Sequence, residues 1–259
     1  MLAVVRRDAQ RAASYRTAMI AVAASELVSL ILFYYLSRLV DVAPFSDPDD
    51  YFAFVVVGLV ALQLANAVLT YPLFLLSGEL VAGTFERLVI SPLGPVPGMV
   101  ATIVFPFLSA LAASVAVLAF GAVVFDLSLE WATAPLALPA SLLVGLSFAP
   151  FGLLLMAAAV VLKQVAAFAG WILTGLSLLA GLYFPIALLP DWIRWASDVQ
   201  PLTPAVDLMR HLLVGIPLSD PGLEALKLAA FAALLIPPGL WAVSRAVDRG
   251  RRLGTIIEY

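Results

Sequence analysis

Residues 51–76 read YFAFVVVGLVALQLANAVLTYPLFLL, an unbroken run that contains no charged side chain. A helix needs about 20 consecutive apolar residues to cross the hydrocarbon core of a bilayer, so this run is predicted to span a membrane. The rest of the chain has the same character, since 63% of its 259 residues are hydrophobic, 12% are charged and the mean hydropathy is +1.07. Soluble domains are about half apolar and a quarter charged. The composition therefore excludes a soluble globular protein and predicts an integral membrane protein.

Six apolar segments of spanning length predict an all-α, polytopic fold that forms a single transmembrane domain over residues 1–259. The first run lacks a small-residue cleavage site, so we expect a retained span and not a signal peptide. Prolines inside several spans predict kinks between packed helices, or hinges that move during transport. The predicted spans are residues 18–36, 51–76, 99–125, 135–162, 165–184 and 226–243.

The distribution of basic residues predicts the orientation of the chain. If both termini are cytoplasmic, ten of the 14 Lys and Arg residues fall on the inner side and eleven of the 17 acidic residues fall outside. Lys and Arg are enriched in cytoplasmic loops of membrane proteins. The count therefore predicts a multi-pass protein of the plasma membrane with both termini in the cytoplasm.

The predicted cytoplasmic connection between spans two and three, residues 77–98, reads SGELVAGTFERLVISPLGPVPG. Its apolar and charged residues alternate as on an amphipathic helix, Thr84 is a candidate N-cap, and Ser91-Pro92 ends the pattern. A short helix at this place rests either on lipid headgroups or on a partner protein.

The predicted outer connection between spans five and six is too apolar for a solvated loop and too interrupted for a span. Trp192, Trp195 and Arg194 are typical of a helix at the level of the headgroups. Residues 204–214 form a second amphipathic piece in which Asp207 and Arg210, three positions apart, are predicted to form an ion pair. We expect two short helices that enter the outer leaflet and return.

Both connections resemble those of ABC-2 type exporter permeases. GELVAGTFERLVISPLGPVP is similar to that family's pattern of an acidic residue, Gly-Thr, an aromatic residue or Leu, Glu, and then Leu-x-x-(Ser/Thr)-Pro. FPIALLPDWIRWASDVQPLTPAVDLMRHLLVG is similar to the pattern before the family's last span, with (Phe/Tyr)-Pro, Leu-Pro, Pro-Leu-Thr and Asp-x-x-Arg. With six spans and cytoplasmic ends, the resemblance covers essentially the whole chain.

The resemblance implies a half-transporter that pairs with a second permease chain, as a homodimer or a heterodimer, and with two separate ATPase subunits. Residues 79–90 would be the coupling helix seated on the ATPase, residues 184–215 the outer re-entrant helices that gate the exit path, and residues 1–17 an interfacial segment. The residues nearest the ATPase would be Glu79, Thr84, Phe85, Glu86 and Arg87. The outer gate would be built on Pro185, Pro190, Pro201, Leu202, Thr203, Asp207 and Arg210.

The sequence contains no G-x-x-x-x-G-K-(S/T), so the chain has no P-loop to hold ATP phosphates. It also has no cysteine, a single histidine (His211) and no catalytic or metal-ligating set within the membrane. We therefore expect a transport subunit that is not an enzyme and binds no cofactor or metal, with ATP and Mg²⁺ held by a partner ATPase. The expected surroundings are membrane lipid, and no feature predicts nucleic-acid binding.

Three polar residues lie within predicted spans and are candidates for a translocation path. Glu26 is either part of a polar pathway or a paired or hydrated side chain, and Gln63 and Asn66 either line a path or join helices. The alternative function is an ion-coupled secondary transporter that uses Glu26. Apolar path walls carry no motif that separates a drug-like compound, a lipid and a lipid-linked glycan, so each is a candidate for an exported amphipathic cargo.

Overall fold

The computed structural model describes residues 6–7, 10, 16–40, 44–45, 47–85, 94–162 and 165–253. Within these residues the elements are helices joined by turns, as the all-α prediction requires. The long and short helices are α1 (Arg16–Leu39), α2 (Pro48–Leu69), α3 (Tyr71–Val81), α4 (Pro95–Val124), α5 (Ala137–Leu162), α6 (Ala166–Leu179), α7 (Asp191–Asp198), α8 (Leu202–Val214) and α9 (Pro221–Leu253). Two 3₁₀ turns cover Ala134–Leu136 and Ile186–Leu188.

Five of the predicted spans are confirmed as helical segments that are long and apolar enough to cross a membrane. These segments are Ile20–Leu39, Pro48–Val81, Pro95–Val124, Ala134–Leu162 and Pro221–Gly250. The run predicted at residues 165–184 is different, because α6 ends at Leu179 after 14 residues. At about 1.5 Å per residue, α6 is roughly 21 Å long, which is shorter than the hydrocarbon core. Gly181, with a φ of +66°, then turns the chain away from the helix axis.

The second span is interrupted at Thr70, where α2 ends and α3 begins. Pro72 lies in the first turn of α3 and has no N–H, so it cannot donate the usual helical hydrogen bond to the carbonyl of Val68 four residues earlier. Gly152 of α5 lies directly against this carbonyl, since a Cβ built on Gly152 would be 2.4 Å from the Val68 oxygen. The absence of a side chain at Gly152 therefore lets α5 pack directly against the backbone at the break in the second span.

Helix α2 is the centre of the bundle, and side chains on all of its faces are buried against α4, α5 and α8. Helix α9 packs along α5, where Gly239 comes close to Pro150. Helix α8 is also buried, which places it between α2, α5 and α9. The two short helices predicted before the last span are thus present, and α8 packs against α2, α5 and α9. The entry of this segment into the outer leaflet stays a prediction.

The connections after α4 and after α6 meet at one end of the bundle. The Glu130 amide donates to the Leu213 carbonyl at 2.8 Å, and the Thr133 hydroxyl donates to the Leu212 carbonyl at 2.8 Å. The exposed side chains of Trp131, Trp192 and Trp195 also belong to these connections. We call this the tryptophan end; the opposite end is the one where α3 finishes.

Candidate functional site

At the opposite end, Glu79 does not begin a separate helix, because it lies in the last turns of α3. The chain leaves α3 at Ala82 and Gly83, and Gly83 has a φ of +65°. The Thr84 amide donates to the Glu79 carbonyl at 2.9 Å, and its hydroxyl donates to the same oxygen at 3.3 Å. The predicted start of the coupling helix at residue 79 is therefore wrong, since a glycine in the left-handed conformation ends the preceding helix four residues later.

The predicted coupling residues have different surroundings. Phe85 is fully buried in the main hydrophobic core, so its side chain packs within this chain. Glu79 forms an ion pair with Arg7 at 3.5 Å, which joins the predicted interfacial segment to the end of α3. Glu86, Arg87 and the rest of the predicted helix to residue 90 lie outside the described residues, as does most of the segment 1–17.

At the tryptophan end, Arg210 of α8 is the most buried charged side chain that the structure describes, with 3% of its surface exposed. Its Nε donates to the Phe54 carbonyl at 3.0 Å, and its Nη2 donates to the carbonyls of Gly181 and Leu182 at 3.1 and 2.9 Å. The guanidinium carbon also lies 3.3 Å from the centre of the Phe54 ring. We call this arrangement the arginine clamp, because it joins α8 to α2 and to the turn after α6.

Because Gly58 of α2 has no side chain, the guanidinium of Arg210 and the Leu182 carbonyl can approach its backbone closely. A Cβ on Gly58 would be 3.1 Å from Nη2 of Arg210 and 3.0 Å from the Leu182 carbonyl oxygen. Burial lowers the pKa of Arg210 to about 9, with Asp207 acting in the opposite direction, so the guanidinium stays charged at neutral pH. Charge-assisted hydrogen bonds to three carbonyls offset the cost of burying it.

The predicted ion pair between Asp207 and Arg210 is wrong, because the guanidinium turns toward backbone carbonyls instead. Burial raises the pKa of Asp207 to about 6, an effect that Glu224 increases and that Arg210 and Lys227 oppose. Lys227 is itself paired with Glu224 at 2.7 Å. Among the residues that the structure describes, Asp207 forms no ion pair, although Arg210, Glu224 and Lys227 act on it electrostatically.

The other residues predicted for the outer gate fix the turns and the packing of this end. Each of the three prolines immediately precedes a helical segment, and Leu202 is buried. The Thr203 hydroxyl and the side-chain amide of Gln200 are buried without a hydrogen-bond partner among the described residues. The prolines concerned are Pro185, Pro190 and Pro201.

The three polar residues predicted within spans have different surroundings. Gln63 of α2 accepts a hydrogen bond from the Ser114 hydroxyl of α4 at 3.2 Å, so it joins two helices. Asn66 instead lines an open groove of 410 Å³ between α2, α3 and α6. Glu26 of α1 is half-buried and interacts electrostatically with Tyr71, which belongs to the groove wall.

The groove has a mixed wall of aromatic, hydroxyl, amide and aliphatic groups. It follows α2 and α3 over 12 residue steps, which corresponds to roughly 18 Å along a helix axis. It passes the interruption of the second span, since Thr70 and Tyr71 are part of the wall. Its lining residues are Leu62, Asn66, Thr70, Tyr71, Phe74, Gly170, Leu173, Thr174, Ser177 and Tyr183.

Tyr183 lines the groove on the side of the tryptophan end and is held from several sides. Its ring stacks on Phe33 of α1 with centroids 5.8 Å apart, and its carbonyl accepts a hydrogen bond from the Tyr51 hydroxyl at 3.0 Å. The two preceding carbonyls are those bound by Arg210. The arginine clamp and the groove are therefore neighbours, because the turn that Arg210 holds leads directly to Tyr183 of the groove wall.

Sequence reasoning identified Arg210 and Asn66 but missed Tyr183, Thr174 and Ser177. Hydroxyl side chains are common in apolar helices, where they bond to carbonyls one turn earlier, and so they do not stand out in a sequence. The sequence does place Tyr183 between two residues typical of turns, Gly181 and Pro185, and this position could have marked it as a candidate.

Comparisons with known proteins found a matching family model and similar curated proteins. The family model described as the ABC-2 type transporter matches residues 1–214, which include α1 to α8 and the whole site. Nodulation protein J of Rhizobium meliloti (strain 1021) is 29% identical over 105 residues, which is 40% of each chain. Nodulation protein J of Rhizobium leguminosarum bv. trifolii is 31% identical over 91 residues, which is 35% of each chain. The chain thus matches less than half of the length of these curated relatives.

Proposed function

The chain belongs to the ABC-2 type transporter family, and on that basis we propose that it is the permease subunit of an ATP-driven exporter. Members of this family are transport subunits, and the helices confirm a multi-pass membrane protein. The observation that carries the proposal is the groove between α2, α3 and α6, which runs along the spans and has Tyr183 in its wall. We place both termini in the cytoplasm, so that the tryptophan end faces outward.

Energy for export is proposed to come from two ATP-binding-cassette ATPase subunits, which bind ATP and Mg²⁺, and the permease pairs with a second permease chain. The segment after Thr84 would receive the force and pass it to α3, whose last turns carry Glu79. Because the interruption at Thr70 separates α3 from α2 at the groove wall, a tilt of α3 would change the width of the groove. The cargo is amphipathic, and the permease carries out no covalent step.

Reconstitution with an ATPase tests this proposal. The chain is co-expressed with a candidate ATP-binding-cassette ATPase from the same genome, and we expect the two to co-purify and to move cargo in vesicles only with ATP. Glu86→Ala should change the ATPase rate about twofold or more, whereas Glu130→Ala, at the tryptophan end, should leave it unchanged. Failure of the ATPase to co-purify, together with an unchanged rate in Glu86→Ala, would contradict the proposal.

One observation favours an ion-coupled secondary transporter as the second candidate. Glu26 is an acidic residue within a span and lies near Tyr71 of the groove wall. That function predicts cargo movement driven by a proton or sodium gradient without ATP, and its loss in Glu26→Gln. Transport that needs both ATP and the ATPase removes this candidate.

A further inference from the structure

The charged residues of α9 lie at the two ends of its apolar part. Between Lys227 and Arg245 the sequence contains no charged side chain. These 18 residue steps correspond to roughly 27 Å along a helix axis, and the hydrocarbon core of a bilayer is about 30 Å thick. The spanning helix therefore places Lys227 near one boundary of the core and Arg245 near the other.

Arg245 belongs to a face of α9 that points away from the rest of the protein. The side chains of Trp241, Arg245 and Arg249 are all exposed, Trp241 by 61%. They follow one another at intervals of four residues, so they lie along one face of the helix. Val243 and Val247, on the other side, are buried in the main hydrophobic core. We call the exposed residues Trp241, Arg245 and Arg249 the α9 basic face.

The described part of the chain supplies little negative charge to this face. Helices α4 and α5, which contact α9, contain no acidic residue. Neither Arg245 nor Arg249 forms an ion pair with a described residue. Asp248 is exposed on the same turns, but residues 245–252 contain four arginines against this one aspartate, a formal net charge of +3. The counter-charge for the α9 basic face therefore has to come from outside these helices.

Trp241 indicates the depth at which this counter-charge lies. The guanidinium carbon of Arg245 is 5.3 Å from the centre of the Trp241 ring, so the two side chains form one surface. Tryptophan is enriched where the hydrocarbon core meets the head groups, and an arginine one turn further along reaches the layer of phosphates. A guanidinium also presents N–H groups in a geometry that matches phosphate oxygens.

From this arrangement we infer that the α9 basic face binds an anionic phospholipid. The phosphate meets the two guanidinium groups, and the acyl chains pack beside the Trp241 indole. An anionic head group supplies the missing negative charge, whereas a zwitterionic lipid brings an ammonium group that the arginines repel. An acidic surface of a partner protein would also attract arginines, but Trp241 lies within the spanning segment, where lipid is the neighbour. The site is separate from the groove and does not depend on ATP.

The test compares two lipids that share their acyl chains and differ in the head group. Dioleoylphosphatidylglycerol and dioleoylphosphatidylcholine are titrated into the purified full chain in a nonionic detergent, and native mass spectrometry counts the lipids bound. We expect the phosphatidylglycerol to bind about tenfold more tightly than the phosphatidylcholine. The double variant Arg245→Gln/Arg249→Gln should lower the affinity for phosphatidylglycerol about tenfold and remove this preference.

Lys227→Gln is the matched control, because it removes the same charge from the same helix at the opposite boundary of the core. The Lys227 ammonium is paired with Glu224 at 2.7 Å, so it is already neutralised within the chain. We expect Lys227→Gln to keep the preference for phosphatidylglycerol. All the charges that are removed lie on exposed or half-buried residues, and melting temperatures check that each variant is folded.

The water-soluble head group glycerophosphoglycerol distinguishes a lipid site from a site for free phosphate esters. We expect an about tenfold excess of it to leave the lipid bound, since it has no acyl chains to pack beside Trp241. Equal affinities for the two lipids, displacement by the head group alone, or an equal loss in Lys227→Gln and in the double variant would overturn the inference. A double variant that keeps the lipid preference but no longer co-purifies with the ATPase would also overturn it, because this face would then belong to the partner protein.

Discussion

Arg210 shows how one side chain determines the structure of the tryptophan end. It supplies the hydrogen-bond donors for three buried carbonyls that belong to α2 and to the turn after α6. A planar guanidinium can address several acceptors in fixed directions, whereas an ammonium on a flexible stem cannot. The carbonyls, and not Asp207, are thus the groups that explain an arginine at this position.

Replacing Arg210 by lysine is expected to destabilise the protein strongly. The lysine keeps the charge but leaves at least one buried carbonyl without a donor, which costs about 1–3 kcal/mol for each such group. Thermal unfolding in detergent measures the effect. Arg194→Lys is the matched control, because Arg194 also donates to two carbonyls but is exposed. We expect its free energy of unfolding to change by about 0.5 kcal/mol. Equal losses of stability in the two variants would contradict the stabilising role of the arginine clamp.

Asp207 predicts a pH dependence of stability whose sign follows from its raised pKa. The ordinary pKa of an aspartate, 3.8, applies to the unfolded chain, and burial raises the pKa of Asp207 to about 6 in the folded chain, so the folded state binds the proton more tightly. The free energy of unfolding therefore contains a contribution that is present below pH 4 and is lost as the pH rises to about 6. Asp207→Asn removes this contribution, since an amide does not titrate.

Melting temperatures at pH 4.5 and 7.5 measure this effect. Relative to Asp207→Asn, the parent protein should be less stable at pH 7.5 than at pH 4.5 by about 1–3 kcal/mol. Taking the difference between the two proteins cancels groups that titrate alike in both, including Glu224 and Lys227, which face Asp207 from α9. If the difference in stability between the parent protein and Asp207→Asn does not vary with pH, the raised pKa of Asp207 is refuted.

At the scale of elements, the interruption of the second span depends on a close approach of α5. Gly152→Ala would place a methyl group 2.4 Å from the Val68 carbonyl oxygen, so α2 and α5 would have to separate. We expect the free energy of unfolding of Gly152→Ala to fall by about 1–3 kcal/mol, measured by thermal unfolding. Gly175→Ala on α6 is the control, because nothing lies within 4 Å of its added Cβ, and helix propensity predicts a small gain. A stable Gly152→Ala variant would show that the two helices do not pack so closely.

Elements were predicted from the sequence to different degrees. Apolar length alone located five spans, because a bilayer imposes a minimum run that few other structures need. The same criterion extended α6 too far, since an apolar run does not show that Gly181 adopts a positive φ and turns the chain. Phe85 illustrates another limit: an amphipathic pattern marks an apolar face, but not whether that face packs on its own chain or on a partner. The carbonyls bound by Arg210 have no sequence signature at all.

At the scale of the whole molecule, the contacts of Tyr183 connect the groove with four helices. Its ring stacks on Phe33 of α1, its carbonyl is held by Tyr51 of α2, it follows α6, and the clamp of α8 holds the two preceding residues. If cargo leaves at the tryptophan end, the Phe33–Tyr183 contact has to open in each cycle. If the proposed export function is right, restraining that one contact should stop transport and leave the binding of the proposed ATPase intact.

The natural absence of cysteine makes this restraint straightforward to apply. The variant Phe33→Cys/Tyr183→Cys is joined by a short, reducible bifunctional thiol reagent in vesicles that contain the ATPase. We expect ATP-driven transport to fall about tenfold or more on cross-linking and to recover on reduction, while the ATPase stays bound. Each single-cysteine variant treated with the same reagent controls for modification and for loss of the ring. If the cross-linked protein transports as well as the reduced one, the cargo does not pass Tyr183, and the groove would have to release it sideways into the lipid or between the two permease chains.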